Sequence, residues 1–193
     1  MKEIEIYIFE DKTNSLENCL SGERLKRFEE ASRKSTKRKL VVGSHFVYGI
    51  LKMKGLSEQI SSQSFFTSVH KFRNLPFFIS LSHSGNYYVL GIASLSIGLD
   101  AEIYIDRKEQ TYDKFIGSNK HLMLEDRKKM FYQKWLKREA IIKCSNSCDL
   151  NMSYTKVNDL VIGICSVNTE NILYYQVDTL NGTFTEISTK PFI

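Results

Sequence analysis

The alternation of apolar and polar positions divides the chain into strand, helices, strands, helices and strands again. Residues 2–9, Lys-Glu-Ile-Glu-Ile-Tyr-Ile-Phe, alternate with period two and predict a first strand. Ser21-Gly22-Glu23 opens a basic helical segment running to about Ala31. A longer helix is predicted from about Ser35 to Lys54, where Leu40, Val41, Ser44, Val47, Tyr48 and Leu51 recur at three- and four-residue spacing and Gly55 is a natural stop. Beyond the polar stretch Ser57 to Gln63, the segments Phe77–Leu81, Tyr87–Ser94 and Ile97–Ile105 read as strands, and 106–120 as a charged loop or short helix. A helix pair over about 119–129 and 130–145 follows. Leu160–Val167, Ile172–Asp178 and Thr183–Ser188 return to strand, with Leu180-Asn181-Gly182 turning between the last two. This order predicts an α+β fold in two halves, residues 1–96 and 97–193.

Composition adds little to that picture except by exclusion. With 42% hydrophobic and 25% charged residues in 193, the chain can bury a core and carries no signature of disorder. Met1-Lys2-Glu3-Ile4-Glu5 places two acids before any apolar run, so no secretory signal is expected. The longest mostly apolar stretch, Tyr87 to Leu99, is interrupted by Gly91, Ser94, Ser96 and Gly98. It falls short of the about 18 residues a membrane span needs, so a cytoplasmic protein that avoids membranes is expected. Cysteines 19, 144, 148 and 165 complete no zinc pattern and read as reduced thiols.

Charge changes the picture more. The net +5 suits an anionic ligand or an acidic protein partner, and Arg24, Lys26, Arg27, Arg33, Lys34, Lys37, Arg38 and Lys39 crowd one short stretch. Glu29 and Glu30 interrupt that run and no nucleic-acid-binding motif accompanies it, so no nucleic-acid partner is expected.

Three segments carry chemistry. In Gly98-Leu99-Asp100-Ala101-Glu102, the two acids stand at i and i+2 and share one face of a strand. Alone, they read first as solvated acids at a strand end; on a buried strand, two like charges require a cation or basic groups. Mg²⁺, which takes hard oxygen ligands and substrate phosphate, is such a cation. In Phe131-Tyr132-Gln133-Lys134-Trp135-Leu136-Lys137-Arg138-Glu139-Ala140-Ile141-Ile142-Lys143, the residues Trp135, Glu139 and Lys143 fall on one helical face. An isolated helix of this kind reads first as an ordinary amphipathic element with one Glu–Lys surface pair. Ser80-Leu81-Ser82-His83-Ser84-Gly85 ends an apolar strand in a hydroxyl-rich loop that can offer N–H groups and an imidazole to a phosphate, or serve as a plain turn.

Taken together and in this order, Ser82-His83-Ser84, Gly98 to Glu102 and Trp135 to Lys143 resemble the 4′-phosphopantetheinyl transferase superfamily, of the surfactin-synthetase-activating type. Weaker similarity extends over about residues 20–190. The chain departs from the family pattern at Arg138, Ala101, Ser80, Asn74-Leu75-Pro76 and Cys144-Ser145-Asn146-Ser147-Cys148. The resemblance implies two similar halves about a pseudo-twofold axis in a monomer, with coenzyme A in the cleft between them. It implies Mg²⁺-dependent transfer of 4′-phosphopantetheine to a serine of an apo acyl or peptidyl carrier protein. Asp100, Glu102 and Glu139 would hold the metal, and Asp100, Glu139 and Lys143 would serve catalysis, with Glu139 as the base. His83, Ser82, Arg24, Lys26, Lys39 and Lys143 would meet the coenzyme's phosphates. A relative that binds coenzyme A or a carrier without turnover is the alternative.

Overall fold

A computed structural model describes residues 4–13, 20–56, 75–117, 121–144, 150–169, 171–178 and 182–192. The elements in chain order are β1 (Ile4–Glu10), α1 (Gly22–Glu30), α2 (Lys34–Met53), β2 (Phe78–Ser84), β3 (Tyr87–Ala93), β4 (Ile97–Ile103), α3 (Glu109–Ile116) and α4 (Leu124–Lys143). They continue with β5 (Asn151–Val157), β6 (Leu160–Ser166), β7 (Ile172–Asp178), β8 (Thr183–Glu186) and β9 (Lys190–Pro191). The described residues thus form a mixed α+β structure with four helices and two sheets, ordered β2-β3-β1-β7-β8 and β4-β6-β5-β9.

The period-two pattern of β1 sorts its side chains between two cores. Tyr7 and Phe9 join Val42, Phe46, Val47, Ile50 and Leu51 of α2 on one side of the first sheet. Ile4, Ile6 and Ile8 meet Leu99, Ala101, Ile162 and Ile164 of the second sheet on the other. The far face of the second sheet takes α3 and α4, where Tyr112, Phe131, Tyr132 and Leu136 pack with Val161. The layers therefore run α2, first sheet, second sheet, then α3 and α4. Removal of this apolar surface from water is the main stabilising term.

The expected division near residue 96 falls between β3 and β4, yet β7 lies parallel beside β1 and carries β8 with it, so the first sheet draws strands from both ends of the chain. Other differences from the expected elements have local causes. The segment Ser82-His83-Ser84 is strand rather than loop, paired with Val89, Tyr88 and Tyr87 of β3. The expected helix pair at 119–145 is one helix from Leu124 to Lys143, because no glycine or proline interrupts that sequence. The charged stretch 106–120 contains the helix α3, and the strands β5 and β9 were not foreseen. Within the expected turn at 180–182 only Gly182 is described, at φ +62, and the Ser57–Gln63 stretch, Cys19 and Cys148 lie outside the described residues. Among the described residues no helix is long and apolar enough to cross a membrane.

Candidate functional site

The alternation along β4 turns Ile97, Leu99 and Ala101 into the core between the sheets and Gly98, Asp100 and Glu102 toward α4. Gly98 allows that helix to come close: a Cβ there would lie 2.0 Å from the Ala140 carbonyl oxygen and 2.7 Å from the Cys144 nitrogen. With the helix seated so closely, its side chains reach the strand's acids. The Lys143 ammonium donates to Asp100 Oδ1 at 2.8 Å, and the Trp135 indole stands near enough to Glu102 to favour its charged form.

Asp100 is only 6% exposed, which makes its charge costly unless it is answered. Its Oδ1 accepts from both Lys143 and the Ser82 hydroxyl, at 2.8 and 2.7 Å. Its Oδ2 is buried and has no hydrogen-bond partner among the described residues. Glu102, two residues on, accepts from the Ser84 hydroxyl at 2.9 Å and faces the Arg107 guanidinium at 3.5 Å. Burial, reinforced by the Asp100 charge, raises the Glu102 carboxyl above its ordinary value, and Ser84, Arg107 and Trp135 recover only part of that.

An orphaned, buried carboxylate oxygen beside a second carboxyl of raised pKa is a donor set suited to a hard divalent cation. Glu139 does not complete it here. The residue is half-buried on α4, between Trp135 and Lys143 on the same face, and no hydrogen bond or ion pair reaches its carboxylate among the described residues. Among the described residues, too, no three His, Cys, Asp or Glu side chains stand close enough together to hold a metal ion.

The expected phosphate-binding residues fall into three environments. His83 projects from the face of β2 opposite Ser82, with its ring 5.9 Å from that of Tyr88. Partial desolvation and then the Lys39 charge lower its pKa from the ordinary 6.5, with Lys143 acting in the same direction. His83 therefore senses both ends of the site, Lys39 on α2 and the Lys143–Asp100 pair. Arg24 is buried against α2, where a Cβ on Gly43 would lie 3.4 Å from its Nη2. Lys26 stands apart, exposed on α1 and 3.9 Å from Glu30 in a surface pair.

Ser82 differs in kind. Its hydroxyl accepts the Ala101 N–H at 3.3 Å and the Lys143 ammonium at 3.2 Å while donating to Asp100. One donor and two acceptors exhaust a serine hydroxyl, so its side chain serves the protein rather than a ligand. Ser84 was read only as part of a hydroxyl-rich loop, with no role toward Glu102, and Arg107 was missed by the sequence reading. The matched two-residue spacing of Ser82 and Ser84 against Asp100 and Glu102 was the available signal for Ser84. Arg107, held over the rings of Phe131 and Tyr132, had none, because its place depends on those packed aromatics.

No family model matches the chain, and no curated protein matches it.

Proposed function

We propose that this protein transfers 4′-phosphopantetheine from coenzyme A to a serine of an apo carrier protein, in the cleft between two related halves. The observation that carries the reading is the pair Asp100 and Glu102 on one face of β4, with Lys143 on Oδ1 of Asp100 and its Oδ2 buried and unengaged. In the transfer, the serine oxygen bonds to the β-phosphorus, the pyrophosphate bridge breaks and adenosine 3′,5′-bisphosphate leaves. Glu139 takes the serine proton, and Lys143 steadies charge on the departing phosphate. Asp100 and Glu102 would hold Mg²⁺, which when bound supplies positive charge against the pyrophosphate. Lys39 and His83, close enough for the lysine's charge to act on the ring, and Arg24, beside α2, would meet the remaining phosphates of the coenzyme.

The test is incubation with coenzyme A, Mg²⁺ and a panel of apo carrier proteins, read by intact mass. At least one carrier should gain the phosphopantetheine mass, and Glu139→Gln should slow loading by roughly 10²–10⁴-fold. One observation favours a second reading, binding without turnover: among the described residues no third acid joins Asp100 and Glu102 in a group that could hold a metal ion. Coenzyme binding with no mass gain across the panel would select it.

His83 supplies an independent check. Its lowered pKa leaves the ring neutral in the free protein near pH 7. A phosphate beside the ring would raise that value, so binding takes up a proton at pH between the free and the bound value. Coenzyme affinity should then rise as pH falls from 8 toward 6, with proton uptake seen by calorimetry in buffers of different ionisation enthalpy. His83→Ala should weaken binding and remove that uptake. Undiminished proton uptake in this variant would place His83 outside the phosphate site.

A further inference from the structure

We propose that Ser82 and Ser84 are positioning residues, which hold the Asp100 and Glu102 carboxylates in the orientation the site uses; this rests on the transferase reading above. The geometry begins with two strand edges. β2 ends one sheet and β4 ends the other, and neither pairs with the other through a backbone ladder. An edge of unpaired N–H groups needs partners. Serine hydroxyls provide them: Ser80 accepts the Leu99 N–H at 3.0 Å, Ser82 the Ala101 N–H at 3.3 Å and Ser84 the Ile103 N–H at 3.1 Å. The three serines thus stitch the two sheets together in period two.

Stitching alone needs only the acceptor side of each hydroxyl. The protons of two of them do something further. Ser82 donates to Asp100 Oδ1 and Ser84 to Glu102 Oε2. Each serine is thereby anchored to the β4 backbone and turns its proton on the carboxylate next in sequence to the N–H it receives. A carboxylate held on one oxygen in this way presents the other in a fixed direction. In Asp100 that other atom is the buried, unengaged Oδ2. Ser82 also accepts from Lys143 and so sets the ammonium and the carboxylate in one triangle. Partners behind a ligating carboxylate commonly change metal affinity 10–100-fold when removed.

Ser80 is the internal control, because it joins the sheets by the same N–H contact and no hydrogen bond ties it to Asp100 or Glu102 among the described residues. Ser80→Ala, Ser82→Ala and Ser84→Ala should each lower the urea midpoint. Only the latter two should weaken Mn²⁺ binding, by roughly 10-fold or more, measured by electron paramagnetic resonance. In turnover, they should reduce kcat while the KM for coenzyme A stays within about twofold, the pattern of lost orientation rather than lost binding. Ser84→Thr, at a half-buried position, keeps the hydroxyl and should retain most of the affinity. A double-mutant cycle in urea unfolding needs neither metal nor turnover: Ser82→Ala and Asp100→Ala should be non-additive, and Ser80→Ala and Asp100→Ala additive. If the wild-type protein binds no Mn²⁺ or loads no carrier, the metal or transferase reading fails while this cycle still decides the positioning. Equal Mn²⁺ losses in all three alanine variants, or additivity of Ser82 with Asp100, would overturn the proposal.

Discussion

Asp100→Asn is expected to leave the protein folded and to cut phosphopantetheine transfer on the order of 10²–10³-fold, the usual cost of losing one preorganised electrostatic contact to the reacting charge. The substitution keeps volume and retains an acceptor at the Oδ1 position, so the contacts with Ser82 and Lys143 can persist. Two things change. The site loses a negative charge, and an amide NH₂ replaces the buried Oδ2, which has no hydrogen-bond partner among the described residues. A buried donor without a partner costs about 1–3 kcal/mol, and Lys143 loses its counter-charge as well. A modest fall in the urea midpoint should therefore accompany a much larger fall in turnover. Intact-mass loading assays beside urea unfolding separate the two effects. Near-normal loading by a folded Asp100→Asn protein would remove Asp100 from the chemistry and leave its pair with Lys143 as a stabilising contact only.

What could be read in advance follows from how far apart the interacting residues lie in sequence. Local periodicity exposed β1, α2, β3 and β4 nearly to their ends, since each repeats its own pattern over seven or more residues. The same local rule placed Asp100 and Glu102 on one face and Trp135, Glu139 and Lys143 on one side of α4. It missed that β2 continues through Ser84, because serine is common in turns and only backbone pairing with Tyr87 to Val89 of β3 makes it strand here. The parallel pairing of β1 with β7 was out of reach. It joins Ile4 to Ile172, and nothing in either segment names the other. The relation of Glu139 to the strand acids is of this long-range kind too. Spacing put it on the right helical face, but its distance from the Asp100–Glu102 pair depends on how α4 sits on β4.

That seating is the reason a methyl group at residue 98 is expected to be more damaging than one at any other described glycine. Gly98 is extended and not in a left-handed conformation, so space alone decides the outcome. A Cβ would lie 2.0 Å from the Ala140 carbonyl oxygen and 2.7 Å from the Cys144 nitrogen, both backbone atoms that no rotamer change can move. The C-terminal turn of α4 must lift from the sheet. Overpacking of a close-packed core typically costs about 1–3 kcal/mol, and a backbone clash falls at or beyond the upper end. At about 2–4 °C per kcal/mol for a chain of this size, Gly98→Ala should lower Tm by about 6–12 °C. The lifted turn carries Lys143, whose ammonium lies 2.8 Å from Asp100, and Glu139 one turn earlier. A displacement on the order of 1 Å can cost about 10²-fold in rate, so turnover should fall well below what the remaining folded fraction accounts for. Gly49→Ala is the matched control, since a Cβ there meets nothing within 4 Å and alanine favours a helix. Its Tm should hold or rise slightly. If Gly98→Ala melts with the wild type and loads carriers at the wild-type rate, the close seating of α4 on β4 is wrong, and with it the geometry that brings Lys143 to Asp100.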